Sequence, residues 1–127
     1  MDVMHIVPTR DTPEVVLDKR TGKLRIEGNS YPSNSPEFYA PILEWYSARL
    51  NDQTLASIDI ELYFHYINTS STKIVIKFLE MLESFHSAGR PVHVRWFYDP
   101  DDANMHGIGE DIRNFVSLPF DLVVVQD

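Results

Sequence analysis

Residues Ile58-Asp59-Ile60-Glu61-Leu62-Tyr63-Phe64-His65-Tyr66 alternate apolar and polar side chains, and Ile67-Asn68-Thr69-Ser70-Ser71-Thr72-Lys73 ends the alternation. A period of two places Ile58, Ile60, Leu62, Phe64 and Tyr66 on one face of a strand and Asp59, Glu61, Tyr63 and His65 on the other. Beyond the hydroxyl residues, Ile74, Phe78, Met81, Leu82 and Phe85 recur at helical spacing until Gly89 and Pro91 stop the pattern. Val92, Val94, Trp96 and Tyr98 then alternate with His93, Arg95 and Phe97. Strand, helix and strand with short connections make a parallel crossover, so the chain reads as α/β.

Working outward toward the N-terminus, Gly28-Asn29-Ser30-Tyr31-Pro32-Ser33-Asn34-Ser35-Pro36 is loop chemistry, with Ser35 as helix cap and Pro36 at the first helical position. Phe38, Ile42, Tyr46 and Leu50 follow every four residues, and Pro41 predicts a kink or a late start. Before the loop, Val15–Leu17 and Lys23–Glu27 flank the turn Asp18-Lys19-Arg20-Thr21-Gly22, which predicts an edge hairpin. Residues 1–13 lack periodicity and read as a loosely ordered arm.

Toward the C-terminus, Met105, Ile108, Ile112 and Phe115 keep helical spacing, but Gly107 and Gly109 cost about 1 kcal/mol each against alanine. The expectation is a frayed last helix, then a strand over Asp121–Val125. Asp59, Glu61, His65, His93 and Arg95 mark one face of the sheet as polar. The sum is a single domain over residues 1–127: a four- to five-stranded mixed sheet with helices mainly on one face.

Composition removes several classes of function. A formal charge of −8, from 19 acidic and 11 basic residues, repels a phosphate backbone and argues against nucleic-acid binding. The absence of cysteine excludes thiol nucleophiles, disulfides and zinc-thiolate sites. No apolar run approaches a membrane span and the N-terminus has no signal-peptide pattern, so a cytoplasmic protein is expected. The five histidines have no metal-ligand spacing, and Asp99-Pro100-Asp101-Asp102-Ala103-Asn104 lacks the oxygen ligand and glycine of a calcium loop. No serine sits in G-x-S-x-G, and His106-Gly107-Ile108-Gly109 lacks the remaining residues of a phosphate-cradling loop. Neither a metal, a cofactor nor a catalytic residue is expected.

That leaves the hinge. Asn68 or Thr69 can cap the helix for about 1 kcal/mol and do nothing more, which is the commoner use of such residues. One hydroxyl can instead take a phosphate, which brings about two negative charges to a helix N-terminus. The helix dipole offers such an exposed group only about 0.3–1 kcal/mol, too little to refold the domain. A dianion buried unpaired in an interface costs several kcal/mol, so the natural effect of a phosphate is to switch binding. Residue types alone favour the cap over the switch and do not choose among the hydroxyls.

Tyr66-Ile67-Asn68-Thr69-Ser70-Ser71-Thr72-Lys73, with Gly28–Asn34 before it and Gly89-Arg90-Pro91-Val92 and Leu118-Pro119-Phe120 after, resembles the SiaC family of bacterial regulatory phosphoproteins. The resemblance implies a non-enzymatic, STAS-like domain, similar in fold to the anti-sigma-factor antagonists. It implies phosphorylation of Thr69 by a serine/threonine kinase, reversal by a PP2C-type phosphatase, and an unphosphorylated form that binds and activates a diguanylate cyclase. The output is then cyclic-di-GMP and biofilm formation. Asn68, Ser70 and Ser71 shape the site in this reading; Ser30, Tyr31, Pro32 and Asn34 form its partner-binding rim; the free protein is a monomer. Two alternatives stand beside it. One is an anti-sigma-antagonist partner switch, although the hinge lacks the aspartate-serine-serine-glycine pattern of those proteins. The other is a small enzyme with a pocket on the polar sheet face around His65, His93 and Arg95.

Overall fold

The computed structural model describes residues 2–126; Met1 and Asp127, the ends of the expected domain, lie outside the described residues. In chain order the elements are β1 (Val3–Ile6), β2 (Glu14–Asp18), β3 (Lys23–Ser30), α1 (Ser35–Ser47), β4 (Ile58–Ile67), α2 (Thr69–Ser87), β5 (Val92–Tyr98), α3 (Ala103–Phe115) and β6 (Phe120–Val124). They build one mixed sheet of six strands in the order β1-β2-β3-β4-β5-β6. The first two pairings are antiparallel and the remaining three parallel.

The sheet is thus one strand wider than the upper expectation. The extra strand is β1, which corrects the loose arm over residues 3–6. Met4 and Ile6 pair with Leu17 and Val15, so they point to the same face as those buried residues, while His5 pairs with Val16 and its ring lies 2.9 Å from the Glu14 carboxylate. Four residues are too few to show a period, and the pairing is tertiary.

Every fully inward strand residue lies on one face. Val15, Leu17, Leu24, Ile26, Ile58, Ile60, Leu62, Phe64, Val92, Val94 and Trp96 join the buried residues of all three helices in one core. The opposite face stays open to solvent. There, Arg95 holds both Asp59 carboxylate oxygens at 3.0 Å and reaches Glu61 at 3.4 Å, and Lys23 also approaches Glu61. The expectation of helices on one face therefore holds.

Four local expectations need correction. Asn34, not Ser35, caps α1, accepting from the Glu37 N–H at 3.0 Å, and the helix runs through Pro41 without a break. α3 is continuous across both glycines: an added Cβ at Gly109 would stand 2.5 Å from Trp96 Cδ1, so the glycine is what lets the helix approach β5. Phe115, read as part of the α3 apolar stripe, is 66 % exposed, because the helix ends there and the inward positions are Met105, Gly109 and Ile112.

β4 carries the most consequential difference. Gly28 pairs with Phe64 but Asn29 pairs with Tyr66, so His65 is an extra residue, a β-bulge. The bulge reverses the alternation, sending Tyr66 to the open face at 49 % exposure and burying Ile67 in its place.

Candidate functional site

Two helices begin side by side where β3 and β4 end. Asn68 closes β4 by donating its N–H to the Ser30 carbonyl at 2.9 Å, then caps α2 by accepting from the Ser71 N–H at 2.9 Å. Its neighbour along the sheet, β3, leads through Tyr31 and Pro32 into the Asn34 cap of α1. Both N-termini, each the positive end of a helix dipole, therefore face the same end of the molecule.

Between them lies a chain of hydroxyls. The Tyr39 hydroxyl and Ser30 Oγ are 2.6 Å apart, Ser30 Oγ donates to Ser71 Oγ at 2.9 Å, and Ser35 Oγ lies 3.2 Å from Ser71 Oγ and 2.6 Å from Ser70 Oγ. Ser30, Ser35 and Ser71 are buried, so each must keep its partners or carry an unmet polar group worth about 1–3 kcal/mol. Burial pushes the Tyr39 phenol up to about 12, against the smaller opposing effect of its hydrogen bonds to Ser30 and Ser71. The network keeps the first turns of α1 and α2 in one register.

The same geometry sorts the consecutive hydroxyls of the hinge. Ser71 is inside, Thr72 Oγ1 donates to the Asn68 carbonyl at 2.9 Å, and Ser70 is tied to Ser35. Thr69 is exposed at the first position of α2, and among the described residues its hydroxyl has no hydrogen-bond partner. It is the hydroxyl of the four that an incoming enzyme reaches without breaking a contact.

The other residues singled out from sequence divide in two. Asn34 and Tyr31 are exposed on the rim, Pro32 and Asn68 are half-buried, and Ser70 is exposed beside Thr69. Ser30, expected on the partner-binding rim, and Ser71, expected to shape the site, are both fully buried: they form the inner wall of the site and present no surface of their own. Ser35 and Tyr39 complete that wall and escaped the sequence reading. Serine before proline reads as a cap, and only the meeting of two helix N-termini shows otherwise.

On the open sheet face, Arg25, Glu61, Tyr63, Phe97 and Val125 line a concavity of about 300 Å³. None of His65, His93 and Arg95 lines it. His93 is paired with Asp121 at 2.7 Å, and Arg95 is taken by Asp59 and Glu61, so these three side chains do not converge as the small-enzyme alternative requires. Among the described residues no three His, Asp or Glu side chains gather as a metal site, and no helix is long and apolar enough to cross a membrane.

The fold is thus a mixed α/β domain with one exposed, unengaged hydroxyl at the entrance of α2, beside the N-terminus of α1. Residues 6–125 match the model of the SiaC family regulatory phosphoproteins, and the chain belongs to that family. It is 36% identical over 120 residues to an uncharacterized protein of Pseudomonas aeruginosa (strain UCBPP-PA14), covering 94% of each chain. It is also similar to apo-SiaC from Pseudomonas aeruginosa, with 35% identity and a TM-score of 0.88 over 97% of this chain and 99% of that one. A further similar chain, at 34% identity and a TM-score of 0.89, belongs to a structure of the diguanylate cyclase SiaD in complex with its activator SiaC from the same organism; 96% of this chain and 99% of that one are covered.

Proposed function

We propose that this chain is a non-enzymatic, phosphorylation-controlled activator of a diguanylate cyclase. The observation that carries the reading is its likeness, over nearly the whole of both chains, to a chain in the complex of a cyclase with its activator. In this reading the unmodified protein docks on the cyclase in the cytoplasm and raises cyclic-di-GMP production, with biofilm formation as the output. A serine/threonine kinase places a phosphate on Thr69, and a PP2C-type phosphatase removes it. Asn68, Ser70, Tyr31, Pro32 and Asn34 surround the docking area, and Ser30 and Ser71 fix its shape from inside.

Thr69 is exposed and unengaged, so adding a phosphate disturbs no internal contact, and the α2 N-terminus favours the new charge by about 0.3–1 kcal/mol. The modification therefore leaves the fold intact. Covered by a partner, the same dianion loses its water and costs several kcal/mol, enough to release a complex of ordinary affinity. Thr69→Ala should bind and activate the cyclase as the unmodified chain does, while Thr69→Asp should not, as read by titration calorimetry and cyclic-di-GMP output. Equal behaviour of the two variants would remove the switch.

A further inference from the structure

Of the five exposed large hydrophobic side chains among the described residues, Val3, Val7, Tyr31, Tyr66 and Phe115, two touch each other, and those two adjoin the hinge. Tyr31 is 37 % and Tyr66 49 % exposed, and their rings meet edge-on with centroids 5.6 Å apart. Tyr66 stands three residues before Thr69, and Tyr31 follows Ser30, whose carbonyl holds the Asn68 N–H. Uninterrupted alternation would bury Tyr66 in the core. The His65 bulge turns it outward, and bulges are a means of re-aiming a side chain at a functional surface.

The pair also has aromatic neighbours on the open sheet face. The Tyr63 ring lies 4.7 Å from His65 and 6.4 Å from Phe97, and Tyr63 and Phe97 wall the concavity described above. Tyr63, His65 and Tyr66 follow one another along the last residues of β4, so the two aromatic groups lie in succession from the hinge onto the one sheet face that no helix covers and make up an aromatic band. Exposed, mutually braced tyrosines are the side chains that most often anchor interfaces, because they bury much area with few rotors to fix.

We infer that this band, with Tyr66 as its anchor, is the surface on which the diguanylate cyclase docks, an inference that rests on the proposed function. Two observations select that occupant. A second copy of the chain would bring its own −8 charge to the face, which opposes self-association. The band is continuous with Thr69, so a partner seated on Tyr66 lies within reach of the phosphate, which makes one modification sufficient to expel it.

The test compares Tyr66→Ala, Tyr66→Phe, Phe115→Ala and Thr69→Asp in the full chain for binding to the purified cyclase and for cyclic-di-GMP output, with melting temperatures measured alongside. Tyr66→Ala should weaken binding roughly tenfold or more at an unchanged melting temperature, as hot-spot truncations do. Tyr66→Phe should keep most of the affinity, and Phe115→Ala, an exposed aromatic on α3, should match the unmodified chain. Full binding by Tyr66→Ala, together with loss in Thr69→Asp, would overturn the docking surface and leave the switch standing. Loss in Tyr66→Ala with full binding by Thr69→Asp would do the reverse. If the chain dimerises and Tyr66→Ala makes it monomeric without affecting the cyclase, the face belongs to a second copy and the inference falls.

Discussion

Replacing Gly109 and Gly107 by alanine in turn should move stability in opposite directions. Both are interior residues of α3, where alanine gains about 1 kcal/mol over glycine by restricting the unfolded chain and shielding the backbone. At Gly107 nothing lies within 4 Å of the added Cβ, so that gain stands alone. At Gly109 the methyl group would stand 2.5 Å from Trp96 Cδ1, 2.6 Å from Trp96 Nε1 and 2.8 Å from Leu122 Cδ2. Trp96 has little room to retreat: it is fully buried, packs against Phe64 and Phe120, and donates its Nε1–H to the Met105 carbonyl at 3.0 Å. Overpacking of this kind costs about 1–3 kcal/mol, and weakening the indole hydrogen bond adds about 1 kcal/mol. After subtracting the propensity gain, Gly109→Ala should be destabilised by about 1–3 kcal/mol. The two variants then differ by about 2–4 kcal/mol, or roughly 10 °C in midpoint for a chain of this size. Thermal and urea melts followed by circular dichroism decide the matter. A Gly109→Ala protein as stable as the parent would refute the close approach of α3 to β5, and a destabilised Gly107→Ala would refute the open space there.

Two further outcomes follow from the hinge. Asn68→Ala should lose about 1 kcal/mol of stability in a urea melt, because the Ser71 N–H loses its cap; a loss near zero would mean that water replaces the side chain fully. Stability should also fall as pH rises through the window between the ordinary tyrosine value of 10.0 and about 12. There the unfolded chain releases the Tyr39 proton while the folded chain keeps it, at about 1.4 kcal/mol per pH unit. Burial raises the Tyr46 phenol as well, so it steepens the same decline. Tyr39→Phe should make the alkaline slope shallower, and an unchanged slope would contradict the burial of a titrating phenol beside Ser30.

Much of the fold was legible because local chemistry and tertiary need coincide. The alternation from Ile58 to Phe64, the Gly89 and Pro91 stop and the hydroxyl hinge are each strong enough alone to place β4, α2 and β5. The misses share a different cause. β1 exists by pairing with β2, which a four-residue stretch cannot announce. The bulge at His65 leaves Phe64 and Tyr66 still alternating on paper, so only the register against Gly28 and Asn29 exposes it. Gly109 reads as a helix defect until Trp96 is seen against it. At the site, residue types left the four hydroxyls equivalent and only the family resemblance singled out Thr69; that Ser35 and Ser30 engage Ser70 and Ser71 is a matter of tertiary packing that no local pattern announces.

The measurement closest to the centre of this account uses the protein phosphorylated on Thr69 alone, its stoichiometry fixed by intact mass, titrated against the diguanylate cyclase beside the unmodified protein. The unmodified chain should bind and raise cyclic-di-GMP synthesis, and the phosphorylated chain should do neither at the same concentration while melting at the same temperature. Equal binding and activation by both forms would contradict the account.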